Sequence, residues 1–70
     1  MRFVLIGAGQ RGMIYATYAH EKGHQIVAVA ETDTAKRNIA GDAFGIPEEN
    51  RFALGTDLLE KPRMGEAAII

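Results

Sequence analysis

The chain has 70 residues, no cysteine, and a formal net charge of -1 from eight basic and nine acidic side chains. A domain of this size buries only about 60% of the surface its unfolded chain exposes, and without cysteine neither disulfides nor thiolate metal sites can reinforce it. The near-neutral charge excludes the electrostatic footprint of a nucleic-acid binder or of a protein held on an anionic membrane, so the expected partner is a small molecule.

Phe3-Val4-Leu5-Ile6 is a continuous apolar run, the pattern of a parallel strand covered on both faces. Glycine breaks it far short of a signal-peptide core or a membrane span, which makes a cytoplasmic location the default expectation. The stretch Gly7-Ala8-Gly9-Gln10-Arg11-Gly12 follows, and Gly12 is read as opening a helix with Met13, Ile14, Ala16, Tyr18 and Ala19 on its apolar face. Tyr15 and Tyr18 are expected to pack with wet hydroxyls. Glu21 and Lys22 form the solvated end, and Gly23 stands where a C-terminal cap belongs. Ile26-Val27-Ala28-Val29-Ala30 is a second strand, so the first thirty residues read as a right-handed strand-helix-strand crossover.

Asp33 or Thr34 can cap the next helix, in which Ala35, Ile39, Ala40, Ala43 and Phe44 recur at helical spacing while Lys36, Arg37 and Asp42 face out. Gly45 stops it, and Pro47-Glu48-Glu49-Asn50 makes a turn. Phe52-Ala53-Leu54 is a short strand, Thr56 caps a brief helix carrying Leu58 and Leu59, and Pro62 ends that helix. Ala67-Ala68-Ile69-Ile70 begins a fourth parallel strand. The predicted fold is therefore α/β: a Rossmann-type parallel sheet ordered 3-2-1-4 with flanking helices, truncated after the start of its fourth strand. Residues 1-70 are expected to be the amino-terminal part of a dinucleotide-binding domain, with the remaining strands and a substrate domain encoded elsewhere. An apolar sheet edge left in this way favours self-association or segment exchange between copies.

The chemistry resides in the glycine stretch and in the end of the second strand. A strand, a glycine turn and a helix in that order is what a pyrophosphate site requires, because free N–H groups of the first helical turn and the helix dipole both favour phosphate. Gly7 would make the tight turn, Gly9 would let backbone approach the pyrophosphate, and Gly12 would let the helix pack closely on the sheet. At Gln10 and Arg11 the backbone N–H groups matter more than the side chains; Arg11 either adds a charge-assisted phosphate contact or is solvated. Glu31 stands nineteen residues past Gly12 at a strand end, the offset of an acid that accepts hydrogen bonds from the adenosine ribose and repels a 2′-phosphate. NAD is thus expected in preference to NADP. Thr32 either offers its hydroxyl or N–H to the ribose or only leads into the helix. Arg37 is expected to face solvent, with adenine stacking or a 2′-phosphate contact as its alternative. His20 and His24 are isolated from each other and from any carboxylate cluster, so no metal site or acid-base pair is assigned, and no nucleophile motif is present. The visible chemistry is binding, and the reacting groups are expected elsewhere.

Arg2 through Gly12, Ile26 through Asp33, Ala43-Phe44-Gly45-Ile46-Pro47 and the closing Glu66-Ala67-Ala68-Ile69-Ile70 together resemble the amino-terminal part of the Gfo/Idh/MocA oxidoreductases. The resemblance covers essentially the whole chain. It implies hydride transfer between a nicotinamide dinucleotide and a small carbohydrate-like or polyol substrate, with cofactor contacts at Gly7, Gly9, Gly12 and Glu31 and substrate held by a carboxy-terminal α/β domain. Many members of that family carry Asp where this chain has Glu31. Glu60-Lys61-Pro62 repeats the letters of the family's active-site lysine signature, but that signature follows the fifth strand, so Lys61 is a chance match with no catalytic role. A regulatory, nucleotide-sensing Rossmann module without catalysis is the alternative reading. Flavin binding is disfavoured because Thr34 to Phe44 reads as helix where flavin proteins commonly continue with a second glycine-rich stretch.

Overall fold

In the computed structural model, which describes residues 1–60 and 65–70, four strands form one all-parallel sheet. They are β1 (Arg2–Ile6), β2 (Gln25–Ala30), β3 (Arg51–Phe52) and β4 (Ala67–Ile69), in the spatial order β3-β2-β1-β4. Three helices flank it: α1 (Gln10–Glu21), α2 (Thr34–Phe44) and the short α3 (Gly55–Leu59), with a 3-10 turn at Glu48–Asn50. The α/β class and the 3-2-1-4 order are those the sequence predicts.

Both faces of the sheet are covered, which is why β1 after Arg2 and β2 after Gln25 are apolar. Leu5, Ile26 and Val29 meet Ala8, Ala16, Ala19, Ala40 and Ile46 on one face, where α1 and α2 lie. Ala28 and Ala30 meet Leu58 of α3 on the other, with Val4, Ile6 and Phe52 at the margin. Ile26 and Ala28 fall on opposite faces although they stand two positions apart, because the β1–β2 register slips between Phe3 and Val4 and leaves Val27 as the extra residue of a bulge. The Asn50 side chain donates to the Val27 carbonyl at 3.1 Å, supplying a partner at this irregular point.

Both long helices are docked through small residues. Only Ala16 and Ala19 of α1, and Ala40 and Gly41 of α2, are buried. This corrects the predicted apolar faces: Ile14, Tyr15, Tyr18 and Ile39 are more than half exposed, and Ala35 and Ala43 are exposed as well. Alanine brings helix and sheet so close that the larger residues one step around the helix are left on the rim. Helix α1 also begins earlier than expected, at Gln10 with Gly9 as its N-cap, so the glycine stretch already includes the first helical turn. It ends in a Schellman motif, with His24 N–H on the Ala19 carbonyl and Gly23 N–H on that of His20, both at 3.1 Å. For α2 the cap is Asp33, which accepts the Lys36 N–H at 3.0 Å.

Two further boundaries move. The third strand is Arg51–Phe52 instead of Phe52–Leu54, and α3 takes Leu54 as its N-cap with no side-chain cap, so Thr56 lies inside the helix. Leu58 is buried but Leu59 is exposed. The helix ends at Leu59, and the expectations for Lys61 and Pro62 lie outside the described residues. Among the described residues no helix is long and apolar enough to cross a membrane.

Candidate functional site

At the carboxyl end of β1 the chain turns through Gly7, whose φ of 85° is a left-handed conformation that side chains disfavour. Its N–H donates to the carbonyl of Ala30 at 2.8 Å, locking the turn to the end of β2. Gly9 then runs extended into α1, and the first helical bond is from Met13 N–H to the Gly9 carbonyl at 2.9 Å. The N–H groups of Gln10, Arg11 and Gly12 come before that bond and have no partner within the helix, so they stand at the positive end of its dipole. A Cβ built on Gly9 meets nothing within 4 Å, whereas one on Gly12 lies 2.6 Å from the Gly7 carbonyl oxygen and 3.4 Å from Leu5 Cδ1. The two glycines therefore differ: Gly12 is required by the protein's own packing, and Gly9 borders open space in front of the helix.

Glu31, immediately after β2, closes the other side. Its N–H donates to the Phe52 carbonyl at 2.9 Å. Its carboxylate spans two elements, with Oε1 accepting the Ala8 N–H at 2.7 Å and Oε2 accepting the Asp33 N–H at 2.8 Å; the Thr32 hydroxyl donates to Oε2 at 3.4 Å. The Asp33 and Ala8 amides, in that order, hold the carboxyl below its ordinary value against a smaller opposing effect of burial, and Lys36 and the Thr32 hydroxyl add to the lowering. An ionised carboxylate has about four acceptor positions on its two oxygens. With a backbone amide on each oxygen and the Thr32 hydroxyl on Oε2, one position remains on Oε1 for a ribose hydroxyl, and the second hydroxyl of the diol would take the place of the long Thr32 contact.

Gly7, Gly9, Gly12, Glu31 and Thr32 thus gather around one mouth at the carboxyl ends of β1 and β2. The side chains of Gln10 and Arg11 are exposed, and their backbone N–H groups lie in the first turn of α1. Arg37 departs from the expectation of a solvent-facing residue: it is half-buried, with Nη1 donating to the Glu31 carbonyl at 2.7 Å and Nη2 to Thr34 Oγ1 at 3.3 Å. The sequence reading missed Ala8 and Asp33, which act here through backbone N–H groups and carry no side-chain signature of that role. His20 and His24 are not isolated from each other. Both border a cavity of about 380 Å³ near the start of β2, where each ring packs edge-on against an aromatic neighbour, Phe44 and Phe3 respectively, at 5.5 Å between centroids. Among the described residues no group of three or more His, Cys, Asp or Glu could hold a metal ion.

Comparison of the chain with protein-family models, with curated proteins and with solved structures returned no match.

Proposed function

We propose that this chain binds a nicotinamide dinucleotide, NAD in preference to NADP, as the cofactor-holding part of an oxidoreductase similar to the Gfo/Idh/MocA enzymes. The observation that carries this reading is the bond from Ala8 N–H to Glu31, 2.7 Å long, which places a charged acceptor beside the free amides of the α1 N-terminus. The site fits the cofactor on two counts. Gly9 leaves open the space a pyrophosphate needs, and Glu31 retains an acceptor position on Oε1 for a ribose hydroxyl but would repel a 2′-phosphate. In this reading the chain grips and orients the cofactor. When bound, the nicotinamide supplies or accepts a hydride at the carbon of a sugar-like or polyol substrate, and no catalytic role is assigned to the described residues. Calorimetric titration with NADH, NADPH and ADP-ribose tests the binding step: tighter binding of NADH than NADPH, with ADP-ribose retaining most of the affinity, is expected. No heat of binding for any of the three would overturn the reading.

A further inference from the structure

Glu31 can recognise a ribose only if its carboxylate is held in place, and the structure shows what holds it. Its backbone is fixed at both polar atoms: the N–H by Phe52 of β3 at 2.9 Å and the carbonyl by Arg37 of α2 at 2.7 Å. Arg37 is itself anchored, since Nη2 reaches Thr34 Oγ1 at 3.3 Å and its own N–H bonds the Asp33 carbonyl at 2.9 Å. Arg37 lies in the first turn and a half of α2, near the positive end of the helix dipole, and the acidic residue at that end is the N-cap Asp33. A guanidinium folded back onto a carbonyl in such a place has two of its five N–H donors committed within the protein.

We infer that Arg37 is a positioning residue for cofactor selection: its guanidinium clamps the β2–α2 corner through the Glu31 carbonyl and Thr34, and so keeps the Glu31 carboxylate aligned between the Ala8 and Asp33 amides. The inference rests on the dinucleotide reading for its consequence but not for its geometry. Arg37 acts on the ribose through Glu31 and makes no phosphate contact. Losing the clamp lets the corner relax, loosens the Glu31 carboxylate, and weakens NADH binding while leaving NADPH, which gains nothing from that carboxylate, nearly unchanged. The ability to discriminate falls with the clamp.

Three variants separate geometry from charge. Arg37→Met removes clamp and charge together, Arg37→Lys keeps the charge but loses the fork, and Thr34→Val keeps Arg37 whole and removes one of its anchors. In the full chain without ligand, the Ala8 and Asp33 amide resonances and the carboxyl titration of Glu31 are followed by NMR. All three variants should move the two amides toward positions typical of free N–H groups and raise the Glu31 midpoint, Thr34→Val least. With ligand, NADH affinity should fall about tenfold in Arg37→Met and about threefold in Thr34→Val, with NADPH within about twofold of its starting value. Should Arg37→Met not fold, the other two variants carry the same comparison. Unchanged amides in Arg37→Lys and Thr34→Val would overturn the inference, and so would a loss of NADPH affinity exceeding that of NADH, which would make Arg37 a phosphate ligand. The ligand-free resonances stand whether or not the chain binds a dinucleotide, so a failure of the binding reading is seen separately.

Discussion

The Ala8 N–H donates to Oε1 of Glu31 at 2.7 Å, tying the glycine turn after β1 to the residue that follows β2. Since the same carboxylate also receives the Asp33 N–H at 2.8 Å, one ionised side chain couples the turn, the end of a strand and the start of a helix. Each of these bonds favours the charged form, which makes their contribution to stability depend on pH.

The direction follows from the lowered carboxyl of Glu31. A group held below its unfolded value contributes its full stabilisation above that value, about pH 4.3 for glutamate, and loses it as pH falls through the folded-state value. Chemical denaturation of the parent chain and of Glu31→Gln should therefore differ by a constant amount between pH 6 and 7. The gap should narrow as pH falls below about 4.3 and close only once pH has passed through the lowered folded-state value, where the parent's carboxyl is protonated and faces the same amide donors with a hydroxyl. A difference that grows on acidification would contradict this assignment.

Gly9 and Gly12 should separate binding from folding. Alanine at Gly9 meets open space and a backbone that any residue can adopt, so unfolding measurements should register at most about 1 kcal/mol, the penalty of a poorer N-cap. Titration with NADH should lose tenfold or more in affinity. Alanine at Gly12 drives a methyl to 2.6 Å from the Gly7 carbonyl oxygen, and because that oxygen is backbone the helix must shift. The expected cost is about 1–3 kcal/mol of stability, read as a lowered denaturation midpoint.

A third glycine makes a prediction against helix propensity. Gly41 lies buried in α2, where a Cβ would run into the Arg51 guanidinium. That guanidinium donates to the Ile46 carbonyl at 2.8 Å and forms ion pairs with Asp42 at 3.2 Å and Glu48 at 3.4 Å. Replacing a helical glycine with alanine ordinarily gains about 1 kcal/mol, but here it displaces a charged group whose side chain is only 11% exposed. A hydrogen bond to such a group is worth about 1.5–3 kcal/mol, so Gly41→Ala should be net destabilising by about 1 kcal/mol. In the background of Arg51→Met, with the obstacle gone, the same substitution should become neutral or stabilising. A double-mutant cycle measures that coupling directly.

What could be read before the structure followed from the backbone's own requirements. The apolar runs of β1 and β2, the tight turn at Gly7, the Asp33 cap and the stop at Gly45 are local demands that single residues announce, and together they force the parallel crossover order. Packing against partners distant in sequence was less legible. Helical spacing marks which residues share a face but not how wide the buried stripe is, so Ile14, Tyr18 and Ile39 were placed inside although alanines make the contact. The start of the third strand was placed one residue late, and its end two, because Arg51 looks like a solvated cation until Gly41 opens a place for it. At the site, the glycines and Glu31 were legible by spacing. The Ala8 amide and the Arg37 clamp were not, since each bond has a backbone atom on one side, the Ala8 N–H or the Glu31 carbonyl, that every residue shares.

The outer edge of the sheet makes the last prediction. Strand β4 pairs with β1 through Ala67, Ala68 and Ile69, and no strand among the described residues covers its other side. That edge carries no charged gatekeeper between Ala67 and Ile70, and Ile70 is 87% exposed. An antiparallel pairing of two β4 edges about a twofold axis normal to the sheet would place both α1 helices on the same face. Light scattering on the purified chain should therefore show mass rising with concentration. Centred on that axis, Ala68 would oppose its own copy, so Ala68→Lys sets two like charges face to face and should weaken association by roughly three- to tenfold. A monomer at every concentration, or association indifferent to Ala68→Lys, would rule this pairing out.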